Sequence, residues 1–443
     1  MASDPLLITD SDISGVLKNL YQKWRVKAFP LSNVLLANIE KTGPGGAKNA
    51  KWGGNGVYFD VVLTRPVGMT ASASGYFPPS AAAVEKQANI GIKRLYVNRR
   101  IDGLAINGTQ SKEAAFVSLG KKIIEEANDA ARLGMQEIVH GDGSATKAVI
   151  GTVNSTTSIV VSAPYGITGA GRGGMLLDAQ MYVAVLDASS SYAVLGKATI
   201  SSVTSTAGSD NATVVLDTAV SGMAAGDILV AATTSDTSYG EYPVGVTKLL
   251  NRGGSYNALQ GLDPSTTNQA RWNTIRADAS AGDFGIDPAA PSEFDIWELI
   301  QRVAGVSGKD AQATPGEFLL ITTPGLRKRF AESFFGQRQW TMTDKVTLKG
   351  GFSALQICGV PMVSDHWCPA GTVYLIHKPS LTWVDAKDWG QVQYESAGAW
   401  RFVAGRDAFE TNWACYMNLG VVQRNAHGMI TGYTDTNRYD HVM

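Results

Sequence analysis

Apolar residues recur at steps of three and four, or their sums, between positions 111 and 140. Phe116, Leu119, Ile123, Ala127, Ala130 and Ile138 form one stripe, with Lys121, Lys122, Glu125, Glu126 and Arg132 mostly between them. That period predicts one amphipathic helix. Ser111 stands where a cap opens it, and Gly141 where a left-handed residue closes it. Such a helix spans about 40 Å, longer than most single cores. The period then changes. AVIGTV, SIVVSA, MYVAVLDA, KATISSVT, ATVVLDTAV and DILVAA are short β-branched runs separated by Gly, Ser and Asn. They predict an all-β module over residues 146–240, a small barrel or sandwich.

Earlier in the chain, residues 1–55 read as an arm. Val16, Leu17, Leu20 and Trp24 suggest an amphipathic helix within residues 12–36, followed by TGPGGAKNAKWGGNG, which is loop chemistry. VYFDVVLT (57–64) and IGIKRLYV (90–97) read as strands around a Ser/Ala/Pro-rich excursion. A hairpin of this kind is marginal in water and must rest on something else. Later, Ser292 with Asp295 resembles a capping box opening a helix to Gly305. EFLLIT reads as a strand, and Thr323-Pro324 as a cap with Pro at the first helical position. VPMVS and VYLIH add strands. From Thr411 to Val421 the pattern alternates, with Trp413, Cys415, Met417, Leu419 and Val421 on one face.

Composition supports this partition. Between Ala145 and Ser235 only 8 of 91 residues are charged and 24 are Ser or Thr, while eight of the ten Trp follow position 271. The module is therefore distinct from an aromatic-rich last third. At 443 residues the chain is long enough for two or three domains. Charged residues are only 17%, which suits a chain that hides surface against partners. With 38 basic and 39 acidic side chains the net charge is −1, excluding a broad basic field for nucleic acid and long-range steering of a charged ligand. Three cysteines late in the chain, Cys358, Cys368 and Cys415, argue against a disulfide framework. The acidic start is no signal peptide, and the uncharged stretch from Ala148 to Gly171 is too polar to span a membrane.

Chemistry is sparse. Gly169 to Gly174 matches GxGxxG, but the downstream residues read as strand where a dinucleotide site needs a helix, so the segment reads as a flexible surface loop. There is no P-loop, HExxH, GxSxG or CxxC. Cys358, Asp365, His366 and Cys368 form the densest group of metal-ligand types, yet their spacing fits no zinc knuckle and reads as buried free cysteines on strands. Glu125–Glu126 reads as a solvated helix face and Asp385–Asp388 as a loop. Neither a catalytic residue, a cofactor nor a metal is expected.

The order of elements carries more than any motif. An arm, a long hairpin and one long helix ending in His140-Gly141-Asp142-Gly143 resemble tailed-bacteriophage major capsid proteins, whose spine helix closes on a Gly-Asp-Gly turn. FDIWELIQRVAG, EFLLITTPGLRKRFAE, GVPMVSDHWCPAGTVYLIHKPSLTW and GRDAFETNWACYMNLGVVQRNAH resemble later elements of that family in the same order. The resemblance covers roughly 50–145 and 290–430; the 146–240 module is an insertion that many but not all such subunits carry, and no long charged scaffolding segment stands at the N-terminus. It implies an α+β phage major-capsid fold: an N-terminal arm (1–55), an extended β-hairpin loop (56–100), a peripheral domain with the spine helix (101–145 and 376–443), the β-rich insertion, and an axial domain (241–375).

The implied function is a shell subunit forming hexamers and pentamers around double-stranded DNA, in the virion, after synthesis in a bacterial host cytoplasm. Portal, scaffold and decoration proteins are its expected partners; membrane is not. Near-zero charge fits a wall that must not stick to packed DNA. An encapsulin-type compartment, or a secreted β-rich carbohydrate-active enzyme or adhesin, are the alternatives. The hairpin would touch a neighbouring subunit through Tyr76, Phe77, Pro78, Glu85, Lys86 and Lys93. Some members of the family lock their shells by an isopeptide bond between a hairpin Lys and an Asn next door. Such a Lys must be neutral. Glu85 beside Lys86 favours the charged form, and Lys93 alternates with Ile90, Ile92 and Leu95 toward solvent. Shells without cross-links are expected.

Overall fold

The computed structural model describes residues 7–8, 34–42, 51–52, 56–65, 69, 82–103, 119–167, 173–205, 211–252, 258–335, 346–347, 353–393 and 400–435. Five α-helices lie among them: α1 (Val34–Asn38), α2 (Leu119–His140), α3 (Val246–Leu250), α4 (Glu293–Ser307) and α5 (Pro324–Phe335). The long helix is α2, whose 22 residues span about 33 Å. Ile123, Ala127, Ile138 and Val139 are buried along its stripe. The expected Ser111 start lies outside the described residues, as do positions 12–33 of the expected arm helix.

The end of α2 differs from expectation. Positive φ falls at Gly143 (85°) instead of Gly141. The reason is tertiary: Thr247 Oγ1 donates to His140 O at 2.6 Å, taking up a carbonyl that a left-handed cap would otherwise serve. The approach is close enough that a Cβ on Gly245 would stand 2.4 Å from Gly141 O.

Two sheets build the body. The first runs in the order Leu7–Ile8, Lys93–Asp102, Ala408–Val421, Leu381–Gln391, Glu40–Thr42, with Arg401–Phe402 beside Ala408–Val421. Trp413, Cys415, Met417, Leu419 and Val421 are all buried, as their alternation predicts. Ile101 and Trp413 meet Ile123 and Ala127 of α2 on this face. Arm residues pair in parallel at both edges, Leu7–Ile8 with Arg100 and Ile101, and Glu40–Thr42 with Thr382 to Val384. Residues 90–97 are not one strand: Ile92 separates Glu85–Gly91, in the hairpin sheet, from Lys93–Asp102. Asp385 and Asp388 also lie in a strand rather than a loop, at a bulge, with Asp385 buried.

The second sheet has seven strands, Ile275–Asp278, Gly428–Thr431, Val373–His377, Phe318–Thr322, Val360–Ser364, Ser353–Ile357 and Val346–Thr347. Phe318 and Leu320 face α4 and α5, while Leu319 and Ile321 join the main core with Trp272 and Trp383. Burial on both faces explains the unbroken apolar run FLLIT. The capping box forms: Ser292 N donates to Asp295 Oδ2 at 3.0 Å, and Tyr433 OH donates to the same oxygen. That helix runs to Ser307 and ends on left-handed Gly308, beyond the expected Gly305. Thr323 Oγ1 accepts from Leu326 N at 3.2 Å, as the Thr-Pro pair predicts.

All six expected β runs of the insertion form strands. They close into a barrel in the order Ala193–Ser205, Ala212–Leu216, Ser158–Ser162, Thr146–Val153, Ile228–Ala231, Tyr182–Asp187 and back to the first. The GxGxxG segment is not a surface loop where it is described. Gly173 and Gly174 are buried, and a Cβ on Gly173 would stand 2.3 Å from Val161 O. These glycines let the chain pack onto the barrel wall, and a turn and strand follow, not a helix. The barrel has its own core, including Ile150, Ile159, Val161, Val185, Ile200 and Leu229. Its two ends meet, with Gly240 N donating to Ser144 O at 3.1 Å. Residues 146–240 expressed alone are therefore expected to unfold in one cooperative thermal transition; a fragment without near-ultraviolet ellipticity contradicts this.

Candidate functional site

The hairpin is anchored at its root and exposed further out. Gly56–Val62 pairs antiparallel with Glu85–Gly91, from Gly56 opposite Gly91 to Val62 opposite Glu85. Val57, Phe59, Leu63, Ala88 and Ile90 are buried in the main core, and the Phe59 ring stands 6.4 Å from that of Trp272. The expected support for the hairpin is thus this chain's own core. Toward the tip the burial fades: Val62 is 59% exposed, and Glu85, Lys86 and Gln87 are exposed. Leu63 N to Val84 O and Val84 N to Thr64 Oγ1, both 2.8 Å, close the described part. Tyr76, Phe77 and Pro78 lie outside the described residues.

Lys93 is not solvent-facing as its alternation suggested. It sits opposite Met417, on the core side of the first sheet, and Nζ donates to Gly240 O (2.9 Å) and Glu241 Oε2 (3.2 Å). The residue pins the chain leaving the barrel. Lys86, on the hairpin, is exposed and has no apolar enclosure to hold it neutral. Mature particles boiled in detergent are expected to give one band near 47.0 kDa; a ladder of covalent oligomers overturns this.

Where α2, the barrel and the second sheet meet, polar side chains are buried together. His140 Nε2 lies 3.2 Å from Asp365 Oδ2, with side chains 0% and 2% exposed. Burial pushes the Asp365 carboxyl up, but His140 and the Trp367 N–H outweigh it and hold it below the usual carboxylate range. Tyr165 OH donates to Trp367 O, tying the barrel to the same turn. Lys147 is buried against Glu137 and the Tyr242 ring. Burial opposes its charge, yet these partners keep the ammonium above the ordinary lysine range. These contacts fix the barrel's attitude on the body. They join residues up to 225 positions apart, which no local pattern signals.

The structure disperses the metal-ligand types. Cys358 is half-buried in a tight turn with Gly359, both at positive φ, and its Sγ faces Glu293. Cys368 is buried in a turn near Thr372 O, so of the three only Cys415 is a buried strand cysteine, and all three are free. Among the described residues, no group of three His, Cys, Asp or Glu could hold a metal ion. One triad-like set does occur. Ser380 Oγ is 2.5 Å from His377 Nδ1, and Glu317 Oε2 is 3.2 Å from His377 Nε2. Its exposed member is the carboxylate, while Ser380 is 5% exposed. A nucleophile so enclosed has no approach for a substrate, so the set is structural.

No family model matches the sequence, and no curated protein matches it. Solved structures do. The chain is similar to the capsid asymmetric unit of cyanophage A-1(L), with a TM-score of 0.52 at 10% identity, over 95% of this chain and 98% of that one. The capsid of a native GTA particle matches with a TM-score of 0.46 at 8% identity, over 96% and 99%. An encapsulin complex from Synechococcus elongatus PCC 7942 matches only 38% of this chain and 56% of its own, with a TM-score of 0.26 at 15% identity. An arm on both sheet edges, an anchored hairpin, one long helix and two sheets, aligned over nearly the whole of the cyanophage chain, give this polypeptide the phage major capsid fold.

Proposed function

We propose that the chain is a major capsid protein that assembles as hexamers and pentamers into an icosahedral shell around double-stranded DNA. The observation that carries this reading is the end-to-end likeness to the cyanophage capsid subunit, which leaves only 5% of this chain uncovered. In this reading the hairpin lies across a neighbour, α2 is the spine of a peripheral domain (101–145 and 376–443), and the second sheet belongs to an axial domain (241–375). The barrel faces outward, where neighbours or decoration proteins reach it. Shells of this kind gather strength from many modest contacts rather than from one tight pair. The site of action is the virion, and the role is structural rather than catalytic. No helix among the described residues is long and apolar enough to cross a membrane.

Electron microscopy of the purified protein tests the reading. Closed shells with six-fold and five-fold capsomers are expected, with DNA in particles taken from infected cells. Shells filled with protein would move the chain to a compartment. A monomer at high concentration would overturn the shell reading altogether.

A further inference from the structure

One face of the first sheet packs on α2 and the main core; the other carries a ladder of cations and hydrogen-bond donors. Cross-strand register arranges it in rows. Arg94, Tyr416 and Lys387 stand side by side on three neighbouring strands. The Arg94 guanidinium lies 6.0 Å and Lys387 Nζ 5.5 Å from the centre of the Tyr416 ring. In the next row Tyr96, 59% exposed, meets the edge of Tyr416 at 6.3 Å and lies opposite Ala414. Then Asn98 Nδ2 donates to Asn412 Oδ1 at 2.6 Å. Last comes Arg100, Glu410 and Arg401, where Arg100 Nε donates to Glu410 Oε2 at 2.9 Å and Arg401 pairs with the other oxygen. The two charged rows are six residues apart, about 20 Å along the strand.

Four cations thus share this face with two acids, Glu410 and, at the far end, Asp102, on a chain whose net charge is −1. Glu410 is enclosed: burial pushes its carboxyl up, and the two arginines more than reverse that, holding it low and ionised. The local excess is two positive charges, set among Tyr and Asn side chains. Arg, Lys, Tyr and Asn are the side chains that bond phosphate oxygens without reading bases. We propose that this face is turned to the interior of the shell and holds the phosphate backbone of packaged duplex DNA, with Arg94 and Lys387 as its phosphate contacts. The contact is sequence-independent, weak per subunit and repeated over the shell, so it orders the outer layer of DNA without blocking release. The inference rests on the shell reading above.

The test uses the full-length chain and its R94S/K387S variant, with a labelled 30-base-pair duplex titrated by fluorescence anisotropy between 50 and 200 mM salt. Each lost phosphate contact lowers the slope of log affinity against log salt by about 0.9. The double variant is therefore expected to lose about 2 from the slope, equivalent to about a tenfold difference in affinity change across that salt range. It should still build shells in normal yield. K328S, removing an exposed lysine of α5, should change nothing. Unchanged duplex affinity and slope in the double variant overturn the proposal. So does a variant that binds duplex normally but fails to build shells, because the face is then a contact between subunits. Binding of single-stranded but not duplex DNA also overturns it. Wild-type chain that builds no shells strikes instead at the capsid reading, while the duplex titration still decides the face.

Discussion

Deleting Gly75–Val84 is expected to leave a soluble, folded subunit that builds no shells. The fold survives because the hairpin's stabilising contacts are at its root. Phe59, Leu63, Ala88 and Ile90 lie outside the deletion and remain in the core. What the deletion takes from the described body is Val84, with its bonds to Leu63 and Thr64. Two partly exposed hydrogen bonds contribute only about 1 kcal/mol each. Rejoining residue 74 to Glu85 still leaves a connection of about ten residues, whose closure entropy changes slowly with length. Assembly has no such reserve. If the tip lies across a neighbour, its loss removes one contact from every subunit, and a multivalent shell fails steeply when each link weakens. Negative-stain images and sedimentation of the deletion variant check this, with circular dichroism to confirm folding. Normal shells from a folded variant would refute the hairpin's role.

Local signals were legible where the chemistry is local. The Ser292–Asp295 box and the Thr323-Pro324 start sit where their spacing places them, because each uses backbone within four residues. The six barrel strands follow from β-branched runs, since a small closed barrel sorts every second residue inward. Gly141 shows the limit. Its position at the helix end was read, but the carbonyl it might have capped is bonded by Thr247, 107 residues away. Lys93 fails for a related reason. Alternation gives two faces but does not say which one another segment covers, and Gly240 and Glu241 cover this one. The glycines at 173 and 174 looked like slack and instead permit contact, because sequence does not show what approaches a missing Cβ. The cation ladder was invisible for the same reason: Arg94, Tyr416 and Lys387 become neighbours only through strand order.

Acid is expected to loosen the subunit well above the pH at which carboxylates titrate. His427 is fully enclosed on the loop before Gly428–Thr431, and burial, with His377 nearby, lowers it to about 3. Its Nδ1 accepts the His377 backbone N–H at 3.2 Å, which puts the ring proton on Nε2, and Nε2 has no partner among the described residues. A second proton would charge a ring that has nothing to solvate it. His377 is also lowered, by burial first, while Glu317 pulls it the other way and Lys309 reinforces burial. Between pH 6.5 and about 3 the unfolded chain holds a proton on His427 that the folded chain does not. Unfolding therefore takes up a proton in that window. The stability is whole above pH 6.5 and falls by up to about 1.4 kcal/mol for each unit below it, before His377 adds its share. Asp365 and Glu410, both held low, add their losses only as pH falls through the carboxylate range. Urea midpoints of the dissociated subunit at pH 7.5, 6.0 and 5.0, followed by tryptophan fluorescence, measure the slope. In H427N the amide oxygen still accepts from the His377 N–H but cannot titrate, so the variant should start less stable and lose less on acidification. Equal slopes in wild type and variant would show that His427 is not the group responsible.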